Sequence, residues 1–338
     1  MAEYRYLGTP HPQWENFPHN LPPNTRISRM TRDRLPITPQ PGLEIEEFDV
    51  PARDGYPIRV RSYQQSANTS ASLPLLIYFH GRGFVTGSLE TDDVYCRRIA
   101  SEIPIIVLNV EYRLAPEHQF PVGFEDSLDV VRWAASPKAQ THFPNLNLAP
   151  GFIIGGTSAG ANFTAGILRL VAQEQDPNLK LSHRVTGILF LAGTTCHEDA
   201  RPEKYRDRIL NIDELTNAPG LTKKVIQYFH GIRCTSHRSR RSPIRFDSHA
   251  DLALRAAFYV CGWDPRRDET LLFEEILSRE GIKTKGYIYP GLPHGFWTKC
   301  PDLDVSKRWE EDLLAGVRFL LEDSASTLTT YSTRKASG

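Results

Sequence analysis

No stretch of this 338-residue chain approaches the roughly 18 consecutive apolar residues that a membrane-crossing helix requires. The start, Met1 to Tyr6, lacks the basic segment and apolar core of a secretory signal. Five cysteines, Cys96, Cys196, Cys234, Cys261 and Cys300, are scattered, odd in number and without C-x-x-C spacing. That argues against a disulfide framework and a zinc site, and for reduced, buried thiols in a cytoplasmic protein. Net charge is missing too: 40 Lys and Arg balance 40 Asp and Glu, so nothing favours nucleic acid or an anionic membrane as the main partner. With 40% hydrophobic and 24% charged residues the composition is that of an ordinary globular protein. The length suits one large α/β domain with an accessory piece, or two ordinary domains.

What is present alternates. Residues 1–45 are rich in Pro, Arg and aromatics and read as an irregular or partly helical extension, with Tyr4, Tyr6, Trp14 and Phe17 as anchors. Residues 43–50 and 58–63 read as strands flanking an Asp54-Gly55 turn, an antiparallel edge. The runs 73–79 and 105–110 are apolar without alternation, as in strands covered on both faces. Helices are expected at 92–102, 123–135, 161–172, 268–279 and 305–321, and further strands at 152–155, 185–191, 257–261 and 287–289. Strands alternating with helices imply a mostly parallel sheet with helices on both faces. The rhythm breaks at 196–250, which carries a helical pattern near 221–229 and a basic run, His237 to Ser242. An insertion there is expected to form a lid, and its basic run a solvated loop. The organisation is thus an extension (1–45), an α/β domain (46–325) with a lid (196–250), and a flexible tail (326–338).

Gly156-Thr157-Ser158-Ala159-Gly160 follows the apolar run 152–155 and precedes a helical stretch. Strand, G-x-S-x-G, helix is the setting in which a serine is forced into a sharp turn with its hydroxyl exposed. A serine hydroxyl is a weak nucleophile until a base takes its proton. Ser158 therefore requires an acid and a histidine downstream and an oxyanion-stabilising loop upstream. Upstream, His80-Gly81-Arg82-Gly83-Phe84 follows a strand; the backbone N–H groups of Gly81, Arg82 and Gly83, with that of Ala159, are the expected donors. Downstream, Asp264 and His294 each stand just past a strand, and the order Ser, Asp, His is that of the α/β-hydrolase triad. Asp268, four residues after Asp264, is the rival acid; it reads instead as a first-turn helix carboxylate.

The loop at 80–84 resembles the His-Gly-Gly-Gly-Phe loop of the hormone-sensitive-lipase family of esterases. The segment from Glu111 to His118, with Phe120 and Pro121 following, is similar to that family's stretch before the nucleophile. Asp264 to Glu269 resembles its acid motif, and His294-Gly295-Phe296 its histidine motif. The resemblance implies an α/β-hydrolase fold with a helical cap and a carboxylesterase that works through an acyl-serine intermediate, with no cofactor. In detail the wording is similar to fungal hydrolases that tailor secondary metabolites. Arg82 and Thr157 depart from the family pattern: a cation stands at the middle glycine of the loop, and a threonine where an acid usually precedes the nucleophile.

His80 reads as a tether of the glycine loop, and Glu111 with Arg113 as a polar network beneath the site. Arg82, Phe84, Trp263 and Phe296 are the candidate substrate contacts, Arg82 for a carboxylate or phenolate. The expected substrate is a small-molecule ester, such as a short acyl ester of a bulky aromatic product. Thioester release from a carrier protein, acyl transfer or bond rearrangement remains an alternative, because fold and triad do not fix the acceptor. A non-catalytic receptor on the same fold would be expected to have lost part of the triad. A homodimer is compatible with the sequence.

Overall fold

The computed structural model describes residues 2–16, 38–68, 72–173, 180–197, 200–233 and 242–322. Phe17, Cys234, the basic residues 237–241 and the expected tail at 326–338 lie outside these residues. The extension begins with a 3-10 helix, Ala2–Gly8, and a short helix α1, Pro12–Glu15. It is stitched to the main body: the His11 N–H donates to the Gly291 carbonyl at 3.0 Å, and Trp14 is buried.

Eight strands among the described residues form one sheet. β1 (Leu43–Pro51) and β2 (Pro57–Gln65) make the antiparallel edge expected around Asp54-Gly55. Then β3 (Leu75–Phe79), helix α2 (Asp93–Glu102), β4 (Ile106–Glu111), helices α3 (Val122–Ala134) and α4 (Pro137–His142), and β5 (Phe152–Thr157) follow. After helix α5 (Ala159–Gln173) comes β6 (Gly187–Leu191). The insertion holds α6 (Asn211–Glu214) and α7 (Lys223–Arg233). The chain continues with β7 (Arg255–Trp263), α8 (Arg267–Arg279), β8 (Lys283–Pro293), α9 (Phe296–Lys299) and α10 (Asp304–Leu320). Strand order is β1-β2-β4-β3-β5-β6-β7-β8, with the six strands from β4 to β8 in that order mutually parallel.

The unbroken apolar runs have a direct cause. Successive residues of a strand point to opposite faces. Leu75, Ile77 and Phe79 pack beneath α3, α5 and α8 with Phe124, Phe163 and Phe273, whereas Leu76 and Tyr78 pack with Ile99 of α2 and Leu313 of α10. Both faces of β3 to β6 are thus buried, and no polar alternation is left to mark them. The helical spacing of Trp309, Leu313, Val317 and Leu320 is that of a buried face: all four are at most 2% exposed. β7 and β8 run well past the expected 257–261 and 287–289. Their ends carry Arg255, Lys283 and Lys285, which pair in the β-ladder although their side chains give no apolar signal.

The topology fixes where chemistry can occur. From β3 the chain crosses outward to β4, then returns to β5 on β3's other side. Such a switch point opens a crevice beyond the carboxyl ends of the two strands. Phe79 of β3 is in register with Gly156 of β5, so the loop after one strand emerges beside the turn after the other.

Candidate active site

β5 ends at Thr157 and α5 begins at Ala159, so Ser158 makes the whole turn. It adopts φ +54°, a left-handed conformation that costs a non-glycine residue roughly 1–3 kcal/mol. Two backbone bonds hold it there: the Ser158 N–H donates to the Leu191 carbonyl at 2.8 Å, and the Asn162 N–H to the Ser158 carbonyl at 3.1 Å. The flanking glycines are needed for close approach. A Cβ on Gly160 would lie 1.9 Å from the Phe79 carbonyl oxygen, and one on Gly156 2.1 Å from it.

The ends of β7 and β8 supply acid and base. Trp263 is in register with Pro293, which sets Asp264 and His294 side by side. His294 Nδ1 lies 2.7 Å from Asp264 Oδ2, and His294 Nε2 lies 3.0 Å from Ser158 Oγ. With a carboxylate on Nδ1, that nitrogen carries the proton and Nε2 is left to accept one. Asp264 is 1% exposed, and its other oxygen accepts the Arg266 N–H at 2.8 Å. Hydroxyl, imidazole and carboxylate in this order can move a proton off Ser158 and offset the resulting positive charge. Asp268 lies elsewhere: its Oδ2 accepts the N–H groups of Leu210 at 2.9 Å and Asn211 at 3.1 Å, at the start of α6. It stands in the first turn of α8, as the sequence suggests, and in addition holds the start of α6.

The glycine loop is held by its neighbours. His80 is fully buried, stacked on Tyr112 at 4.3 Å, and its Nδ1 is 2.9 Å from the Gly81 carbonyl. Burial pushes its pKa down to about 4, so the ring is neutral and tethers the loop. Arg82, Gly83 and Phe84 follow with φ values of +81°, +68° and +69°. Gly81, expected among the donors, faces the other way: its N–H is directed at Asp92 Oδ2, 3.4 Å away. The loop donors left are those of Arg82 and Gly83. The Ala159 N–H is the first amide of α5 and has no intrahelical acceptor.

A cavity of about 40 Å³ opens beside Ser158. Gly83, Phe84, Ala159 and Asn162 line its base, and Thr194, Cys196, His197 and Arg266 one wall. Leu221, Ile226 and Phe229 of the insertion form an apolar roof. Phe84 is thus at the cavity. Arg82 is exposed and is not part of the lining. Phe296, expected at the substrate, is fully buried between Tyr289 and Trp297, and Trp263 packs half-buried against the same core. Both aromatics flank catalytic positions, but their side chains follow the sheet face that α9 and α10 cover. Arg113 spends its guanidinium on Asp126, at 2.7 Å, and on Asp54, also at 2.7 Å, away from the cavity.

Sequence reasoning missed the wall at 194–197 and what holds it. Glu269 accepts the N–H groups of Thr195 at 2.7 Å and Cys196 at 2.6 Å, and pairs with Arg266 at 2.8 Å. Both residues stand in the stretch around Asp264, but opposite charges three apart at a helix start read as surface. No helix of the described residues is long and apolar enough to cross a membrane, and they hold no cluster of His, Cys, Asp or Glu suited to a metal ion.

Residues 76–298 match the family model described as alpha/beta hydrolase fold. The versiconal hemiacetal acetate esterase of Dothistroma septosporum is 31% identical over 295 residues, covering 85% of each chain. Esterase LipI of Mycobacterium tuberculosis is 30% identical over 269 residues, covering 78% of this chain and 77% of its own. Among solved structures, vibralactone cyclase superposes with a TM-score of 0.81 at 29% identity, over 94% of this chain and 96% of that one. A matching family model, esterase relatives and a serine–histidine–aspartate array at the switch point agree: the chain belongs to the alpha/beta-hydrolase fold family, in its hormone-sensitive-lipase-type branch, and is an esterase-type hydrolase.

Proposed function

We propose that the protein cleaves a short-chain carboxylic ester of a bulky small molecule through an acyl-Ser158 intermediate. The carrying observation is the chain of contacts from Ser158 Oγ to His294 Nε2, 3.0 Å, and from His294 Nδ1 to Asp264 Oδ2, 2.7 Å. Ser158 Oγ attacks the ester carbonyl as His294 takes its proton. The N–H groups of Arg82, Gly83 and Ala159 stabilise the oxyanion, each such donor being worth about 3–4 kcal/mol. The ester C–O bond then breaks and His294 returns the proton to the leaving oxygen; water, activated by the same histidine, releases the acid. The acetate in the name of the Dothistroma relative supports a short acyl group, for which the cavity beside Ser158 is the place. A bulky, secondary-metabolite-like alcohol would lie toward the open side, where exposed Arg82 can meet a carboxylate or phenolate. The insertion acts as the cap, its roof of Leu221, Ile226 and Phe229 closing the acyl side.

The test is hydrolysis of p-nitrophenyl acetate and longer homologues, with Ser158→Ala inactive. A wild-type protein that releases no p-nitrophenol and resists organophosphate labelling would remove this reading. A second reading is favoured by the likeness to vibralactone cyclase, which reaches over the extension and insertion as well as the core. In that case the acyl group on Ser158 passes to a hydroxyl of another or the same molecule instead of to water, or the acyl donor is a thioester that releases a thiol in place of an alcohol. Free acid together with a released alcohol marks ester hydrolysis, free acid with a released thiol marks thioester cleavage, and a new ester marks transfer to a hydroxyl.

A further inference from the structure

Asp92 is a buried carboxylate without an assigned task. It is 2% exposed, sits just ahead of α2 and faces the underside of the glycine loop. A single oxygen, Oδ2, is the acceptor for two groups: the Gly81 N–H at 3.4 Å and the Tyr78 hydroxyl at 3.3 Å. The Tyr78 hydroxyl in turn lies 2.6 Å from Thr157 Oγ1. The hydrogen-bonded chain therefore runs from the residue before Ser158, through Tyr78 and Asp92, to the first peptide of the loop that carries the oxyanion donors.

That peptide matters. Three residues in succession, Arg82 to Phe84, hold left-handed torsions, so the aim of the Arg82 and Gly83 N–H groups depends on how the peptide before them is anchored. The His80 ring fixes the Gly81 carbonyl and Asp92 takes the Gly81 N–H. We propose that Asp92 is a positioning residue for acyl transfer: its Oδ2 anchors the glycine loop from beneath and couples it, through Tyr78 and Thr157, to the turn at Ser158.

The surroundings suit a carboxylate held for geometry. The groups facing it are Tyr78 on β3, Thr157 on β5, Arg82 on the loop, and Tyr95 and Cys96 on α2. Burial raises the Tyr78, Tyr95 and Cys96 pKa values, so these groups stay neutral, and the charge of the exposed Arg82 favours the ionised carboxylate. Desolvation lifts the Asp92 pKa to about 6. An acid kept at that disadvantage is better explained by the loop it anchors than by fold stability.

The proposal rests on the acyl-serine reading above, and the experiment separates the two. Asp92→Asn and Asp92→Leu are compared on p-nitrophenyl acetate, with rates expressed per serine titrated by an organophosphate. Asn offers one carbonyl oxygen to both donors and should keep kcat within about threefold. Leu fills the space without an acceptor and should lower kcat by about 10- to 100-fold with KM unchanged, the size expected when a catalytic group is slightly mis-set. Wild-type kcat in a folded Asp92→Leu would overturn the proposal. So would equal losses in Asn and Leu that follow lowered melting temperatures, which mark a structural role. Should the leucine variant not fold, Asp92→Ala carries the same comparison. Failure of the wild type to label would instead remove the acyl-serine reading itself.

Discussion

The two sides of Ser158 are built on different principles. On one side Asp264 and His294 reach it through side chains at the ends of β7 and β8, with contacts of 2.7 and 3.0 Å. On the other, the loop from His80 to Phe84 offers backbone groups whose direction depends on left-handed torsions and on partners far along the chain. The first arrangement is specified by residue type at a strand end. The second is specified by what surrounds it: Tyr112 against His80, Asp92 beneath Gly81, Phe229 over Gly83. Side-chain chemistry is robust to small backbone shifts, whereas aimed N–H groups are not.

Four experiments press on this difference. The largest effect is expected from Asp264→Asn, which should lower kcat by roughly 10⁴-fold with little change in melting temperature, because the imidazole loses its correct tautomer. Retention of more than a tenth of wild-type kcat would show that another acid serves His294. Next, Phe296→Ala should destabilise the fold by about 3–5 kcal/mol, since the ring is fully buried, while kcat per labelled serine stays near wild type. A selective loss of affinity for large esters would instead return Phe296 to the substrate site. On the loop side, Gly83→Ala should cost about 10²-fold in kcat. A Cβ there sits at φ +68° and 2.5 Å from the Phe229 ring, and Phe229→Ala in the same chain should restore only part of the rate, relieving the clash but not the torsion. Full restoration would mean that the torsion is unimportant.

The smallest effect concerns stability. The Asp92 pKa is about 6, above the ordinary 3.8, so the folded chain binds more protons than the unfolded one between those values. The cost of ionising Asp92 is absent below about 3.8, grows as pH rises through the window and is complete above about 6. Asp92→Asn should therefore gain at most about 3 kcal/mol at pH 8 and little near pH 4, read by denaturant melts. An equal gain at both pH values would mean that the carboxylate is not paying an ionisation cost.

Much of the acid–base side was legible beforehand. Ser158, Asp264 and His294 stand where short apolar runs end, and strand ends are where side chains escape the sheet. The parallel core was equally legible, because strands covered on both faces leave unbroken runs such as 75–79 and 106–110. The aromatics misled for the same physical reason. Trp263 precedes Asp264 and Phe296 stands two residues after His294, yet nearby residues of a strand or turn point to different faces, and these two pack into the core. Gly81 misled because residue type says that a backbone N–H exists but not which way it faces. The pocket wall at 194–197 was invisible, since its support by Glu269 joins residues more than 70 positions apart.

The sequence by itself determined the sheet, the order of Ser158, Asp264 and His294 at strand ends, and the glycines without which the turn at Ser158 could not pass Phe79. These follow from local periodicity, strand ends and the space a Cβ occupies. Only the tertiary structure decided which way the amides of the loop face, which aromatics meet the cavity, and which groups surround Asp92. Those depend on the directions of groups brought together from distant parts of the chain, and direction is set by packing and torsion, not by residue type.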